Sequence, residues 1–546
     1  MASINPDHFI EELKFDIKTN DMIKARLVIE HLPEMDADIQ REALACLTWA
    51  KDSFAIPLIV SLLATHPDFV NHYPLLKELI YSKILINPTL LSKLLLKETQ
   101  PKYRSILAVI AGEMRLEQST STLMEILNSE QNEKVLKSAI EALGMIGDVS
   151  ATSAISEYLY SNDVELTIAA IYALGQLATP TAIQRLSEKL GADPDLDAMI
   201  LDAFFNSQMP EAMEKLNETL SAHWVHTRNI GKQRLVQIGA KAVPELLKNL
   251  RQDDPDLLIH TLNVLGEIGD ESAILAIRKL LFKEPKDANV RFAAYEALGL
   301  LPVAKGAVTL AAGLNDPVEN VRAAAASAIN HNYNPVLAAG LKNLMRFEGP
   351  EREQNCKTII TAQCDTIFLD LIEDNAFVSL AVDFLTHHAH SDIKSHYIQL
   401  LAENGHMALA DKLKSTKPTV PSKPDTVRIF AVDDSKMILN IYRTILHDLG
   451  YEPEVFEFPA DALKAVHQHP PAAILTDLNM PAMSGIDLTR EIRRQFNQES
   501  LPIIMVTTQN EVNDNEAALA AGVNGILHKP FTADILAKAL HDWAQL

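Results

Sequence analysis

Near the end of the chain, apolar runs end in residues that could do chemistry. One run ends in the adjacent carboxylates Asp433 and Asp434, another ends in Asp477, and two later runs end at Thr507 and at Lys529. Catalysis of phosphoryl transfer to a carboxylate consists mainly of positioning and charge neutralisation. Acids that hold a divalent cation, together with a hydroxyl and an ammonium, suit that task. The pattern therefore predicts a signalling switch that is phosphorylated on Asp477.

The elements that must position these residues follow from the alternation of strand-like and helical stretches. Strand-like runs are predicted at 427–432, 455–458, 473–476, 503–507 and 525–528, and a helical pattern follows each of them. A βα alternation repeated five times predicts an α/β domain with a five-stranded parallel sheet covered by helices on both faces. The carboxyl ends of parallel strands meet at one edge, so the polar residues should meet there too.

This segment resembles the response-regulator receiver domain of two-component signalling, and especially the stand-alone chemotaxis receivers. The five residues named above carry the resemblance, as does the closing stretch Ala521–Gly525 with Lys529–Thr532. The resemblance implies a flavodoxin-like fold and a histidine kinase as the phosphoryl donor. It also implies that Asp477 is the phosphoacceptor, that Thr507 and Lys529 contact the phosphoryl group, and that the cofactor is Mg²⁺. The implied metal ligands are Asp433, Asp434, Asp477 and the backbone carbonyl of Asn479.

The segment departs from the family pattern at one position. Many receivers carry an aromatic residue three positions before the lysine, and here that residue is Ile526. Signalling by rotation of an aromatic ring is therefore not expected, whereas movement of Thr507 remains available. Asn479 and Gln509 occupy positions that tune hydrolysis of the acyl phosphate in the family.

The sequence upstream repeats itself. Ala139, Ala142, Leu143 and Gly144 recur 31 residues later, and the stretch from Val290 to Leu298 recurs at the same spacing. A period near 30 residues with two helical patterns per unit is typical of an α-solenoid. Small residues on the first helix should let neighbouring helices approach closely. The glycine that follows them is predicted to cap the helix with a positive φ; the glycines concerned are Gly144, Gly175, Gly266 and Gly299.

These units resemble HEAT-like repeats of the phycobilin-lyase type, most clearly between residues 130 and 335. The predicted fold is thus multidomain, with an all-α HEAT-like solenoid followed by the α/β receiver. The predicted bounds are 1–411 for the solenoid, 412–426 for a linker rich in Pro, Ser and Lys, and 427–546 for the receiver. Arg291 and Arg322, at equivalent repeat positions, are interpreted as a ladder with neighbouring acids.

Composition excludes several classes of protein. The formal net charge is −23, and a basic stripe for nucleic acid is not expected. The chain has 3 cysteines, which are too scattered for a disulfide framework or a zinc site. No apolar run reaches the ~18 residues of a membrane-spanning helix. We expect a cytoplasmic, bacterial-type protein that is not inserted in a membrane.

Three functions remain open from the sequence. The favoured one is a response regulator in which phosphorylated Asp477 modulates protein–protein interaction by the solenoid, with no enzymatic activity beyond the autocatalysed transfer to its own aspartate. Its partners would be a sensor histidine kinase and an unidentified protein. The alternative is a constitutive HEAT-repeat scaffold whose receiver is a localisation module or a phosphate sink. The third is a lyase or another ligand-binding enzyme built from the repeats.

Overall fold

The computed structural model describes residues 6–191, 193–302, 307–346, 349–415, 427–480, 483–507, 512–529 and 531–546. Contacts within the chain divide it into two compact units, Met1–Glu218 and Thr219–Leu546. The first unit is helical wherever it has regular structure. The second unit contains further helices of the repeat region and the whole α/β domain.

Several helices of the first unit begin at a polar cap. The side chain of Asp163, for example, accepts the backbone N–H of Glu165 at 2.7 Å just before a helix begins. The α-helices are α1, Phe9–Thr19; α2, Met22–Glu30; α3, Ala37–Trp49; α4, Asp52–Thr65; α5, Pro67–His72; α6, Leu75–Ile86; α7, Thr89–Lys97; α8, Pro101–Glu113; α9, Thr120–Ser129; α10, Glu133–Ile146; α11, Thr152–Ser156; α12, Val164–Leu177; α13, Pro180–Ser187; α14, Pro194–Ser207; and α15, Pro210–Glu218. Single 3₁₀ turns lie at Pro6–His8, Leu32–Glu34, Glu117–Ser119, Val149–Ala151 and Glu157–Tyr160.

The helical part of the second unit continues in the same manner. Its α-helices are α16, Val225–Ile238; α17, Val243–Asn249; α18, Pro255–Ile268; α19, Ile274–Phe282; α20, Ala288–Leu300; α21, Ala307–Ala312; α22, Glu319–His331; α23, Pro335–Arg346; α24, Pro350–Thr361; α25, Asp365–Leu371; α26, Asn375–His387; α27, Ser391–Glu403; and α28, Met407–Ser415. The 3₁₀ turns are Thr219–Ser221, Gly239–Ala242, Glu271–Ala273 and Gly313–Asn315. Residues 412–415 of the predicted linker are therefore helical, and 416–426 lie outside the described residues. The predicted domain bounds stay a prediction.

The repeat glycines do not cap their helices, so that prediction is wrong. All of them lie inside α-helices: Gly144 in α10, Gly175 in α12, Gly266 in α18 and Gly299 in α20. The cap of α10 is Gly147, with a φ of 82°. A Cβ placed on Gly144 would lie 2.7 Å from the Cα of Ala173 on the next repeat helix. These glycines therefore let successive helices approach closely, which is the role predicted for the other small residues.

The predicted pairing of the repeat arginines with neighbouring acids is confirmed for Arg291. Arg291 forms a bidentate salt bridge with Asp316, with nitrogen–oxygen distances of 2.7 and 3.0 Å. Arg322 donates to the backbone carbonyl of the same Asp316 at 2.8 Å. Arg291 thus links its repeat to the next one, whereas Arg322 holds the loop that precedes its own helix.

The α/β domain alternates strands and helices as predicted. Its elements are β1, Arg428–Val432; α29, Lys436–Asp448; β2, Glu452–Phe456; α30, Pro459–Gln468; β3, Ala473–Asp477; α31, Gly485–Arg493; β4, Ile503–Thr507; α32, Val512–Ala521; β5, Gly525–His528; and α33, Ala533–Ala544. All pairings are parallel, and the strand order is β2-β1-β3-β4-β5. This order is that of a flavodoxin-like fold, which confirms the predicted fold class. β2 begins three residues before the predicted position because it is an edge strand, where Pro453 and exposed polar residues are tolerated.

Alternate residues of the central strands build two apolar layers. Ile429 and Ala431 of β1 face the layer under α29 and α33, whereas Phe430 and Val432 face the layer under α30 and α31. The first layer also includes Ala323 of α22, and Phe292 of α20 packs against it.

Helices of the repeat region therefore pack against the α/β domain within the second unit. Arg443 of α29 lies 3.6 Å from a carboxylate oxygen of Asp392 on α27. The rings of His390 and His447 meet edge to face, with centroids 5.4 Å apart. This packing was not predicted from the sequence.

Within the described residues, no single helix combines the length and apolar composition needed to cross a membrane. The bent pair Leu75–Ile86 and Thr89–Lys97, with an angle of 110° between its helices, meets the criterion by length and composition only.

Candidate functional site

The predicted site residues meet at the carboxyl edge of the sheet. Asp433 directly follows β1, Asp477 ends the neighbouring β3, Thr507 ends β4, and Lys529 directly follows β5. The Lys529 amide donates to the carbonyl of Thr507 at 2.8 Å, which joins the ends of β4 and β5. The topology thus brings together residues that are up to 96 positions apart in the sequence.

Lys529 bridges two of the acids. Its Nζ lies 2.6 Å from Oδ2 of Asp433 and 2.7 Å from Oδ1 of Asp477. The lysine side chain is 9% exposed, and those of Asp433 and Asp477 are 2% and 12% exposed. Since water reaches these groups poorly, each charge depends on its protein partners.

Backbone amides hold the second oxygen of each bridged acid. Oδ1 of Asp433 accepts the N–H of Ser435 at 2.9 Å, and Oδ2 of Asp477 accepts the N–H of Asn479 at 2.7 Å. Each carboxylate is therefore oriented by one ammonium and one amide. Such fixed donors place an acid for a reaction before any ligand arrives.

The electrostatics of the site reflect an excess of acid. Burial raises the pKa of Asp433 to about 6, against the opposing charge of Lys529. The Asp434 carboxylate faces the protein-walled cleft described below, and desolvation followed by the charges of Asp433 and Asp477 raises its pKa to about 7. Burial alone would lower the pKa of Lys529, but the charges of Asp433 and Asp477 raise it well above its ordinary value. Three acids against one lysine leave room for another cation.

The donor set suits a hard cation such as Mg²⁺, which prefers oxygen ligands. Besides the carboxylates, Oδ1 of Asn479 is buried there and has no hydrogen-bond partner among the residues that the structure describes. In the arrangement described, with Lys529 between Asp433 and Asp477, no three His, Cys, Asp or Glu side chains of the described residues are grouped as metal ligands. The carboxylates are thus suitable ligands for Mg²⁺, and the ammonium of Lys529 lies between those of Asp433 and Asp477.

The loop after β3 is shaped by a glycine. A Cβ added to Gly485 would overlap the backbone carbonyl oxygen of Asp477, so a larger residue would displace the strand end. The Gly485 amide donates to the carbonyl of Leu478 at 2.9 Å, and Ser484 and Asp487 form a capping box at the start of α31. Gln509, named above for its position in the family pattern, lies outside the described residues.

Comparisons with known proteins agree with this geometry. The family model for the response regulator receiver domain matches residues 429–541. Chemotaxis protein CheY1 of Helicobacter pylori is 35% identical over 116 residues, which make up 21% of this chain and 94% of that protein. Chemotaxis protein CheY of Pseudomonas aeruginosa is 37% identical over 111 residues, 20% of this chain and 90% of that protein. The chain belongs to the response regulator receiver family.

Two further comparisons concern the solenoid and the solved structures. The model for HEAT repeats matches residues 88–168, 121–203 and 243–330, so HEAT repeats precede the receiver domain. The receiver domain of a sensor histidine kinase from Pseudomonas aeruginosa, solved with a magnesium ion coordinated in its active-site cleft, is 31% identical; the match covers 22% of this chain and all of that one, with a TM-score of 0.21.

Sequence reasoning missed the residues that face the receiver site from the HEAT solenoid. Nδ2 of Asn289 on α20 donates to the backbone carbonyl of Lys529 at 2.6 Å. A cleft of about 800 Å³ separates the site from the solenoid and is lined by Asp434 and Asp477 on one side and by Lys232 and Glu296 on the other. A repeated polar residue was the available signal, because Asn289 and Asn320 each precede a Val-Arg pair, 31 residues apart.

Ile526 stands in β5 at the position where many receivers have an aromatic residue. Its side chain is half-buried and packs against the apolar layer under α30 and α31. Thr507, the other residue expected to respond to phosphorylation, is buried, at 2% exposure. The receiver domain therefore has a buried hydroxyl at the site and an aliphatic side chain beside it.

Proposed function

We propose that the protein is a phosphorylation-dependent response regulator of a two-component system in the bacterial cytoplasm. A sensor histidine kinase would donate the phosphoryl group to Asp477. The observation that carries this proposal is the bridge from Lys529 to both Asp433 and Asp477 at the carboxyl edge of the receiver sheet. A lysine held between a buried acid and the acceptor is placed to neutralise charge during the transfer.

In the transfer, an oxygen of the Asp477 carboxylate attacks the phosphorus of a phosphohistidine. The new O–P bond forms as the P–N bond breaks, and the imidazole leaves as the neutral base once it has taken up a proton. Lys529 and the Thr507 hydroxyl hold the oxygens of the phosphoryl group. Asn479 keeps the attacking carboxylate oriented through its backbone amide.

The proposed cofactor is Mg²⁺. When bound, it supplies positive charge that offsets the repulsion between the acids and the phosphoryl oxygens. The residues that would hold it are Asp433, Asp434, Asp477 and the backbone carbonyl of Asn479. The raised pKa values of Asp433 and Asp434 support this assignment, because crowded acids favour either a proton or a cation.

The proposed output is a change in protein–protein interaction by the HEAT solenoid. The contact from Asn289 to the backbone of Lys529 supports this, because it joins the solenoid to the residue that pairs with the acceptor. An acyl phosphate on Asp477 would thus change the charge next to a residue that the solenoid contacts directly. A pull-down with the full chain, with and without phosphorylation, tests the output. Identical partners in both states would favour the constitutive scaffold instead.

The phosphorylation itself is tested with the full chain, acetyl phosphate and Mg²⁺, followed by intact mass. We expect the gain of one phosphoryl group in the wild type and none in Asp477→Asn. Asp461→Asn, which alters an exposed acid on α30, is the matched control and should be phosphorylated normally. A phosphoryl group gained by Asp477→Asn, or none gained by a folded wild type, would contradict the proposal.

A further inference from the structure

The cleft over the phosphoacceptor has a wall that belongs to the HEAT solenoid. Residues of α16, α18 and α20 line one side, and the acids of the receiver domain line the other. The hydrogen bond from Asn289 to the Lys529 carbonyl fixes α20 against the receiver at the edge of this cleft. A phosphoryl group on Asp477 would therefore project into a space that two domains share.

The wall at α16 carries a lysine. Arg228 of the same helix is 1% exposed and donates to the backbone carbonyl of Ala222 at 2.7 Å, which holds its guanidinium inside the protein. Lys232, one turn further along the same helix, lines the cleft and is half-buried. Burial lowers the pKa of Lys232 to about 8, and the charge of Arg228 also lowers it. The charge of Glu267 on α18 and, after it, the charge of Asp477 raise the pKa of Lys232, and all three residues line the same cleft.

The wall at α20 is different. Glu296 lines the cleft, and burial together with the charges of Asp433 and Asp434 raises its pKa to about 8. The solenoid side of the cleft thus carries a basic side chain on α16 and an acid on α20. Phosphorylation replaces the single charge of the Asp477 carboxylate with about two negative charges, farther out from the strand. The added negative charge strengthens the attraction between Lys232 and the group on Asp477.

We propose that Lys232 of the solenoid binds the phosphoryl group on Asp477, so that phosphorylation tightens the contact between α16 and the receiver domain. This inference rests on the proposed function. Lysine suits the role because its ammonium is a compact charge on a flexible stem of four carbons, able to reach a group that is present only part of the time. The HEAT solenoid then reads the phosphorylated state through one of its own side chains.

The test uses hydrogen exchange of the full chain, measured by mass spectrometry, with and without beryllofluoride and Mg²⁺ as the phosphoryl mimic. In the wild type we expect slower exchange in two places, the peptides of β3 and β4 and the peptides of α16. The slowing in α16 should be about tenfold, the effect of one charge-assisted hydrogen bond. Asp477→Asn should abolish both responses.

Variants at Lys232 separate the inference from the proposed function. Lys232→Met should lose the response of α16 and keep that of β3 and β4, and Lys232→Arg should restore it in part. Lys279→Met, which alters an exposed lysine on α19 outside the cleft, is the matched control and should respond as the wild type does.

Each outcome has one meaning. No response in β3 and β4 of the wild type would refute phosphorylation of Asp477, and with it both proposals. A response in β3 and β4 with unchanged or faster exchange in α16 would overturn the role of Lys232 alone. A response of α16 that persists in Lys232→Met would also overturn it, because another group would then hold the phosphoryl mimic.

Discussion

Replacing Lys529 with methionine should destabilise the receiver domain in a way that depends on pH. The substitution keeps an apolar stem and removes the ammonium that lies 2.6 Å from Asp433 and 2.7 Å from Asp477. Breaking a buried ion pair by removing one partner typically costs about 3–5 kcal/mol, since the remaining charge stays buried without its counter-charge. Asp433, at 2% exposure, cannot turn towards water to relieve that cost.

Protonation of the carboxylate that has lost its partner limits the loss of stability. A carboxylate with an unfolded pKa of about 3.9 can be protonated for about 1.4 kcal/mol per pH unit above that value, which gives about 5 kcal/mol at about pH 7.5 and about 1.5 kcal/mol at about pH 5. Without the lysine, the folded-state pKa of Asp433 lies further above its unfolded value. The folded variant then binds more protons than the unfolded chain, so its stability is highest at low pH and falls as the pH rises through the unfolded pKa. We therefore expect a loss of about 3–5 kcal/mol near neutral pH, and of no more than about 1.5 kcal/mol near pH 5, per uncompensated carboxylate.

The assay must report on the receiver domain rather than on the whole chain, because a chain with several units does not unfold in one step. Hydrogen exchange of the amides in β1 and β3, corrected for the intrinsic effect of pH, gives the free energy of opening of this sheet. Lys538→Met, an exposed lysine on α33, is the control and should leave that free energy unchanged. An equal loss at both pH values, or a loss below about 1 kcal/mol at each, would refute the buried pair as the source of the effect.

Three further substitutions test other parts of the structure. Gly144→Ala should destabilise the first unit by about 1–3 kcal/mol through overpacking, whereas Gly340→Ala, in a helix with open space around it, should stabilise the second unit by up to about 1 kcal/mol; urea unfolding measures both. Asp434→Asn without Mg²⁺ should stabilise the receiver domain at a pH above about 7 and have little effect near pH 4, because the raised pKa of Asp434 makes its ionised form unfavourable in the folded state. With saturating Mg²⁺ the same substitution should destabilise the domain, and thermal unfolding measures both effects. Arg291→Met should cost about 3 kcal/mol by leaving Asp316 unpaired, and Asp316→Asn in the same background should recover part of the loss in a double-mutant cycle.

The site could be predicted from the sequence because its geometry is a property of strand ends. Once five apolar runs alternate with helices, a parallel sheet follows, and its carboxyl edge collects Asp433, Asp477, Thr507 and Lys529. The apolar runs of β1, β3 and β4 are buried on both faces, so their limits are visible in the sequence. The predicted start of β2 was three residues too late, because an edge strand needs no continuous apolar run that would mark its limits.

The repeat glycines show where spacing alone is insufficient. A glycine near the end of an apolar helical pattern fits both a cap and a close helix contact, and only the position of the next helix distinguishes them. For Gly144 the deciding fact is Ala173 on the neighbouring repeat, at a distance that no pattern encodes. The true cap, Gly147, stands three residues later in the same sequence.

The packing of the solenoid against the receiver could not be predicted, because repeat periodicity defines the face that each helix buries against its neighbours and leaves the opposite face undetermined. Asn289 and Asn320 gave a partial signal, since polar residues at equivalent positions are buried, at 8% and 7% exposure. A buried amide needs a hydrogen-bond partner, and Asn289 finds its own on the receiver domain.

Ile526 and the cleft together determine how a phosphorylated state could be transmitted. A ligand or modification shifts a conformational equilibrium only by as much as its interaction energy differs between the two states. An aliphatic side chain packed against the apolar layer offers little such difference, because it carries no charge or hydrogen bond to exchange. The cleft offers more, because an added negative charge there meets the ammonium of Lys232, while Glu296, whose pKa is raised by burial to about 8, is mainly protonated near neutral pH and adds little repulsion. Under the proposed function, the charge of Lys232 on the HEAT solenoid therefore adds to the contacts of Lys529 and Thr507 in distinguishing the two states.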